Sequence, residues 1–145
     1  MNHEETSMTG APFKVSYPIR FRDLDVLGHV NNAVYFTYME MARIEYYRYL
    51  TGEKSLEAFD LILAHISCDY LKPLTLRDTV EISVWPTEIG NTSFTLEYEI
   101  RRKGSRKPAA RGRSVMVMYD YENNVKKPIP GHLRRVLERE AEAAK

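Results

Sequence analysis

The densest cluster of groups able to do chemistry lies between Arg22 and Tyr35, in the run R-D-L-D-V-L-G-H-V-N-N-A-V-Y. Two carboxylates (Asp23, Asp25), one imidazole (His29) and two amides (Asn31, Asn32) share this short stretch. A carboxylate can serve as nucleophile or general base, and an imidazole can assist either role. Gly28 permits a tight, left-handed backbone just before the helical pattern that follows. Either asparagine can cap that helix by accepting a backbone N–H bond. The start of a helix carries unpaired N–H groups and the positive end of its dipole, here aimed at the loop with the two carboxylates. Asp and Asn also populate turns and caps for local hydrogen-bonding reasons alone. On residue types the stretch therefore reads as a cap or as a catalytic site.

The flanking elements decide how such a loop is held. Phe13, Val15, Tyr17, Ile19 and Phe21 alternate with Lys14, Ser16, Arg20 and Arg22, the period of a half-buried strand. Pro18 cannot donate to a ladder, so this strand belongs at a sheet edge. Tyr35, Tyr38, Met39, Ala42, Tyr46 and Tyr49 recur at helical spacing up to about Leu50, and Thr51-Gly52 ends the helix. Such a row suits a helix lying across a sheet, with each tyrosine hydroxyl needing a partner. Tyr35, one turn in, stands beside the loop.

Ser55 to Asp60 reads as a connector. Ile62, Ala64, Ile66, Cys68 and Tyr70 then alternate against Leu63, His65, Ser67 and Asp69, giving a second strand that Lys72-Pro73 closes. A third strand begins at Val80 and runs to about Ile89, with a bulge or bend expected at Pro86. Gly90-Asn91 is a turn, and Phe94, Leu96, Tyr98 and Ile100 make a fourth strand. Lys103 to Pro108 is a basic hairpin tip. Ala109 to Tyr121 forms a fifth strand, apolar on both faces near its end as central strands are. Pro128 and Pro130 precede a charged helix from about Gly131 to Ala144. The pattern predicts α+β architecture: a strand, the long helix packed on the sheet, four strands in antiparallel meander order, then a terminal helix.

Bulk properties exclude several classes. The chain has 145 residues, enough for one domain with a real core, and 21 basic against 20 acidic residues favour neither nucleic acid nor membrane. A single cysteine, Cys68, rules out an internal disulfide and fits a reducing, cytoplasmic compartment. No apolar run approaches the ~20 residues of a bilayer span. Residues 1–12 lack the apolar core of a secretory signal and read as a flexible tail ahead of a single domain over 13–145. His29, His65 and Cys68 lack zinc-ligand spacing, so no metal is expected. The cations Arg101, Arg102, Lys103, Arg106, Lys107, Arg111 and Arg113 form either a solvated hairpin or a phosphate-binding patch. No exposed aromatic motif accompanies them to suggest RNA.

The motif R-x-x-D-x-D-x-x-G-H-V-N-N-x-x-Y, followed by a helix with Glu40 and Arg43, resembles the hotdog-fold acyl-CoA thioesterases of the 4-hydroxybenzoyl-CoA thioesterase family. The resemblance continues through Asp69-Tyr70-Leu71-Lys72-Pro73-Leu74 and Asp78-Thr79-Val80, and covers roughly Val15 to Tyr121. It implies a hotdog fold: an antiparallel five-stranded sheet wrapped around one long central helix, plus a C-terminal helix. It also implies a cytoplasmic, cofactor-free hydrolase that splits acyl-CoA into free acid and CoA, working as a homodimer or tetramer with sites at the subunit interface. Position by position, the catalytic aspartate falls on Asp25 and the oxyanion-binding N–H near Asn32. His29 is either auxiliary, for orientation or substrate contact, or a structural histidine; Asp23 stabilises the loop, and Tyr35, Asn31 and Gly28 are substrate contacts. Other branches carry a histidine where this chain has Asn32, which argues against a catalytic imidazole at that point. A carboxylate facing a helix dipole suits a charged nucleophile better than a general base, while both roles stay open. Two other readings share the fold: an acyl-ACP thioesterase, and a non-catalytic acyl-CoA-binding protein. A hotdog dehydratase fits less well, because those enzymes carry a different acid–histidine pattern on the helix.

Overall fold

The computed structural model describes residues 12–52 and 59–145. Most of the expected tail (1–12) and connector (55–60) lies outside the described residues. The elements are β1 (Phe13–Pro18), a 3₁₀ turn (Phe21–Asp23), α1 (Asn32–Thr51), β2 (Leu61–Tyr70), β3 (Thr79–Ile89), β4 (Ser93–Arg102), β5 (Pro108–Asp120), β6 (Val125–Lys126) and α2 (Gly131–Ala143). The sheet is antiparallel in the order β1-β3-β4-β5-β2, with the short β6 added beside β5. β3, β4 and β5 form the expected meander. β2 departs from it, crossing to pair with β5 at the edge opposite β1.

β1 is an edge strand, as Pro18 requires, but it stops there. Phe21 does not continue the inward alternation: it opens the 3₁₀ turn and is 80% exposed. The regular alternation read for β2 also fails, because Ala64 is an extra residue. Leu63 pairs with Met116 and His65 with Val115, a bulge that shifts the phase of the strand by one. Leu61 and Leu63 therefore join Ile66, Cys68 and Tyr70 on the side facing α1. In β3 the register also shifts between Pro86 and Ile89, in keeping with the bend that Pro86 predicts.

Helix α1 begins at its Asn31 cap, whose side chain accepts from the Ala33 N–H at 2.9 Å, and ends at Gly52 in the left-handed conformation. It lies on the buried face of the sheet, in close approach at Gly112 of β5. A methyl group added there would overlap Met39 Sδ and come 3.3 Å from the Ser67 carbonyl oxygen. Three of the tyrosines that crowd the helix donate to carboxylates: Tyr38 to Asp23, Tyr46 to Glu140 of α2 and Tyr47 to Asp60. Burial first, and then the adjacent carboxylate, keep these phenols well above their ordinary pKa, so they remain donors. Tyr47 is buried, whereas Tyr49, expected on the buried face, stacks half-buried on Tyr46. α2 is less uniformly polar than its composition implies, since Leu133 and Leu137 are fully buried.

The outer face of the sheet carries charges in pairs, one along β4 (Arg101 with Glu99) and the others across strands: Arg111 with Glu99, Arg113 with Glu97 and Glu88, and Lys14 with Glu81. Arg102 reaches Asp78. Most of the hairpin-region cations are thus engaged, as a solvated, ion-paired face would have them. Among the described residues no helix is long and apolar enough to cross a membrane.

Candidate active site

The loop before α1 is built by three short extended segments lying side by side. Leu24 bridges Val30, and His29 bridges Thr75. The Asn31 N–H donates to the Asp23 carbonyl and the Val30 N–H to the Leu74 carbonyl, both at 2.8 Å. The turn between them is closed by the Asp25 N–H to the His29 carbonyl (2.8 Å) and the Gly28 N–H to the Asp25 carbonyl (3.1 Å). Gly28 sits at φ +81°, a conformation that side chains with a Cβ rarely adopt.

The two aspartates have separate duties. Asp23 is 2% exposed and saturated: it accepts from the Arg20 N–H, the Arg20 guanidinium and the Tyr38 hydroxyl. Burial alone would raise its pKa, but these hydrogen bonds and the Arg20 charge outweigh it and hold the carboxyl below the usual range. Because the folded pKa lies below the unfolded one, the stabilisation is complete above about pH 4 and disappears as pH falls through the folded value. Asp60 is shifted the same way: burial is outweighed by Lys127 and Tyr47. Urea midpoints followed from pH 7 to pH 3 are expected to fall steeply at the acid end, and Asp23→Asn is expected to flatten that fall. An unchanged slope in the variant would show that Asp23 has no such role.

Asp25 is held by one oxygen only. Its Oδ1 accepts from the Leu27 N–H at 2.9 Å and the His29 N–H at 3.3 Å, while Oδ2 has no partner among the described residues. One oxygen of Asp25 thus closes the turn of the loop, while the helix itself is capped by Asn31. Asp25 also lines a cavity of about 260 Å³, together with His29, Val30, Asn32, Tyr35, Tyr70, Leu71, Lys72 and Pro73. At the start of α1, the Asn31 side chain takes the Ala33 N–H and the Asn31 carbonyl takes the Val34 N–H. The Asn32 N–H is left without an acceptor among the described residues, on a residue that lines the same cavity.

Four of the six residues singled out from the sequence thus meet around one cavity: Asp25, His29, Asn32 and Tyr35. Asn31 and Gly28 do not line it. Asn31 spends its side chain on the cap, and Gly28 shapes the turn. The opposite wall comes from the end of β2. Tyr70 donates to the Asn32 carbonyl at 2.9 Å and meets the Tyr35 ring edge-on at 5.0 Å. Burial pushes the Tyr35 phenol up to about 12. Lys72 supplies the cation of the cavity wall. Sequence reasoning assigns Tyr70, Leu71, Lys72 and Pro73 no role in the site, although the D-Y-L-K-P-L run is a visible signal for them. Among the described residues no three His, Cys, Asp or Glu side chains gather as a metal site.

The chemistry this arrangement offers is specific. Asp25, with one carboxylate oxygen unpartnered among the described residues, and Asn32, with an N–H unfilled among them, line one cavity. A carboxylate and a helix-start N–H are the types of group that can attack a carbonyl and stabilise the resulting oxyanion.

Comparison with known proteins places the fold and the family. The chain is 35% identical to a Thermus thermophilus thioesterase crystallised with coenzyme A and zinc, covering 89% of this chain and 93% of that one with a TM-score of 0.79. It superposes on a predicted thioesterase from Bacillus stearothermophilus at 28% identity, covering 90% and 96% of the two chains, TM-score 0.82. These are hotdog folds, as is this one. A Prochlorococcus marinus 1,4-dihydroxy-2-naphthoyl-CoA hydrolase is 26% identical over 106 residues, 59% of this chain and 65% of that protein. Residues 19–137 match the family profile of the thioesterase-like superfamily, to which this chain belongs.

Proposed function

We propose that this protein hydrolyses acyl-CoA thioesters to free acid and CoA without a cofactor. Membership in the thioesterase-like superfamily supports thioester hydrolysis. The observation that carries the finer reading is that Asp25, with an oxygen unpartnered among the described residues, and Asn32, with an N–H unfilled among them, line one cavity. In the nucleophilic route, Asp25 attacks the thioester carbonyl and the Asn32 N–H holds the oxyanion. The CoA thiolate leaves, and water hydrolyses the mixed anhydride to acid and free Asp25. In the general-base route, Asp25 takes a proton from the attacking water and the same N–H serves. His29 touches the substrate as an auxiliary group, and Tyr35 and Tyr70 form the wall against the acyl or pantetheine portion. The coenzyme A in the Thermus thermophilus thioesterase supports a CoA carrier.

The active form in this reading is a homodimer, or a dimer of dimers, joined along β2. Among the described residues that ten-residue strand has no neighbour on its outer side and exposes Ile62, Leu63 and Tyr70, and such an edge invites a further strand.

The test is thiol release from short, medium, long and aromatic acyl-CoAs. Turnover of at least one of them is expected, and the best one reports the pocket. No release from any CoA ester, with hydrolysis of an acyl-ACP instead, would move the reading to the protein-linked carrier. Tight CoA binding with no turnover of either would make the chain a binding protein.

A further inference from the structure

Arg43 is 8% exposed on α1 and donates to the Tyr98 hydroxyl at 3.2 Å, which in turn bonds Ser114. Among the described residues it forms no ion pair. A guanidinium so far from water, answered only by a neutral phenol, is costly unless a counter-charge arrives from elsewhere. Glu40 stands one turn earlier on the same helix, exposed and also without an ion pair among the described residues. Both residues line two neighbouring cavities, of about 200 and 170 Å³, between α1 and the free edge strand β2. Their other walls are largely apolar: Phe36, Ile44, Leu63, Ile66 and Met116 among them.

Resting on the homodimer reading above, we propose that Glu40 of each subunit pairs with Arg43 of the partner subunit, in a reciprocal double ion pair between facing copies of α1. Helix α1 runs opposite to β2: its first residue meets Tyr70 at the end of the strand, and Tyr47 meets Asp60 before its start. A second copy that adds its own β2 antiparallel to this edge extends the sheet and brings its α1 onto the flank carrying Glu40 and Arg43. The two helices then lie antiparallel about a two-fold axis. In such an isologous interface each contact occurs twice, with the residues exchanged. An axis level with residue 40 or with residue 43 sets like charges against each other. An axis between them sets acid against base twice, separated by about 4.5 Å of helix rise. The charge pattern therefore selects both the occupant of the groove and its register.

Sedimentation and mass photometry over a dilution series test this. Glu40 is exposed, so E40R is expected to fold. It sets a second guanidinium against the partner's Arg43 and is expected to raise the dimer dissociation constant at least about tenfold. R43E does the same with two carboxylates. Mixing the two single variants is expected to restore a heterodimer through one pair of opposite charges on each side of the axis. The double variant E40R/R43E is expected to dimerise by itself, because both contacts are again acid against base. E40R dimerising as tightly as wild type overturns the pairing while leaving the dimer. Should R43E misfold, E40R alone still decides the matter. A folded double variant that dimerises no better than E40R would also overturn the pairing. A monomeric wild type overturns the dimer reading and the pairing together.

Discussion

Asp25→Asn is expected to lower turnover of the best acyl-CoA by about 10²–10⁴-fold, the range for losing a positioned acid–base group, and by more if Asp25 is the nucleophile. The substitution is chosen for what it preserves. An asparagine keeps an oxygen to accept the Leu27 and His29 N–H bonds, so the turn that positions residue 25 survives. The lost feature is the charge on the second oxygen, the one without a partner among the described residues. Melting temperature, sedimenting mass and CoA affinity should therefore stay near wild type while kcat collapses. That split separates a reacting group from a cap: loss of stability with full specific activity would mark Asp25 as a loop cap. Full activity with full stability would remove the site assignment altogether. Turnover in heavy-oxygen water divides the two routes further. A mixed anhydride opened by water at Asp25 leaves label in that side chain after multiple turnovers, whereas water activated by a general base does not.

Gly112→Ala is the largest effect expected on stability away from the site. One added methyl overlaps Met39 Sδ, on a side chain with no exposed surface, and lands 3.3 Å from a backbone oxygen of β2. The clash cannot be resolved by swinging Met39 into solvent. Overpacking of this kind costs about 1–3 kcal/mol, seen as a lower urea midpoint at unchanged slope. Because the clash is with one side chain, shortening that chain should relieve part of it. Met39→Val combined with Gly112→Ala is expected to cost less than the sum of the two single changes. Strict additivity would mean that the helix moves as a body and that Met39 is not the obstacle.

How much of this is legible in the chain depends on how local each signal is. The Asn31 cap, the Gly52 stop, the Gly90 turn and the edge position forced by Pro18 are set by a few adjacent residues, and all are readable. So is the meeting of Asp25, His29, Asn32 and Tyr35, because one turn and one helix start bring them together. The single extra residue at Ala64 is not readable: a bulge leaves the composition of a strand unchanged while reversing which face half of it presents. Phe21 misleads because an apolar residue in the right phase looks like strand even where the backbone has begun to coil. The far wall of the cavity, Tyr70 to Pro73, is marked by its D-Y-L-K-P-L run, but it reaches the site through the pairing of β2 with β5, and that placement is not encoded by any local pattern. The cations at the end of the hairpin are ambiguous for a similar reason, since the carboxylates that Arg111 and Arg113 meet sit on other strands.

The strand order also sets a timetable for folding. Phe13 pairs with Val84 and Leu61 with Met118, so neither edge strand can find its neighbour until a long intervening stretch exists. During synthesis α1 emerges before β3, β4 and β5, with Met39 and its buried tyrosines still exposed to water. Loop closures of this span slow the search, and the waiting apolar helix is a point of capture for chaperones or for another nascent chain. The wall contributed by Tyr70 and Lys72 is secured only once β5 has left the ribosome, so an mRNA truncated within that strand yields a chain with the whole loop motif and no cleft to hold it.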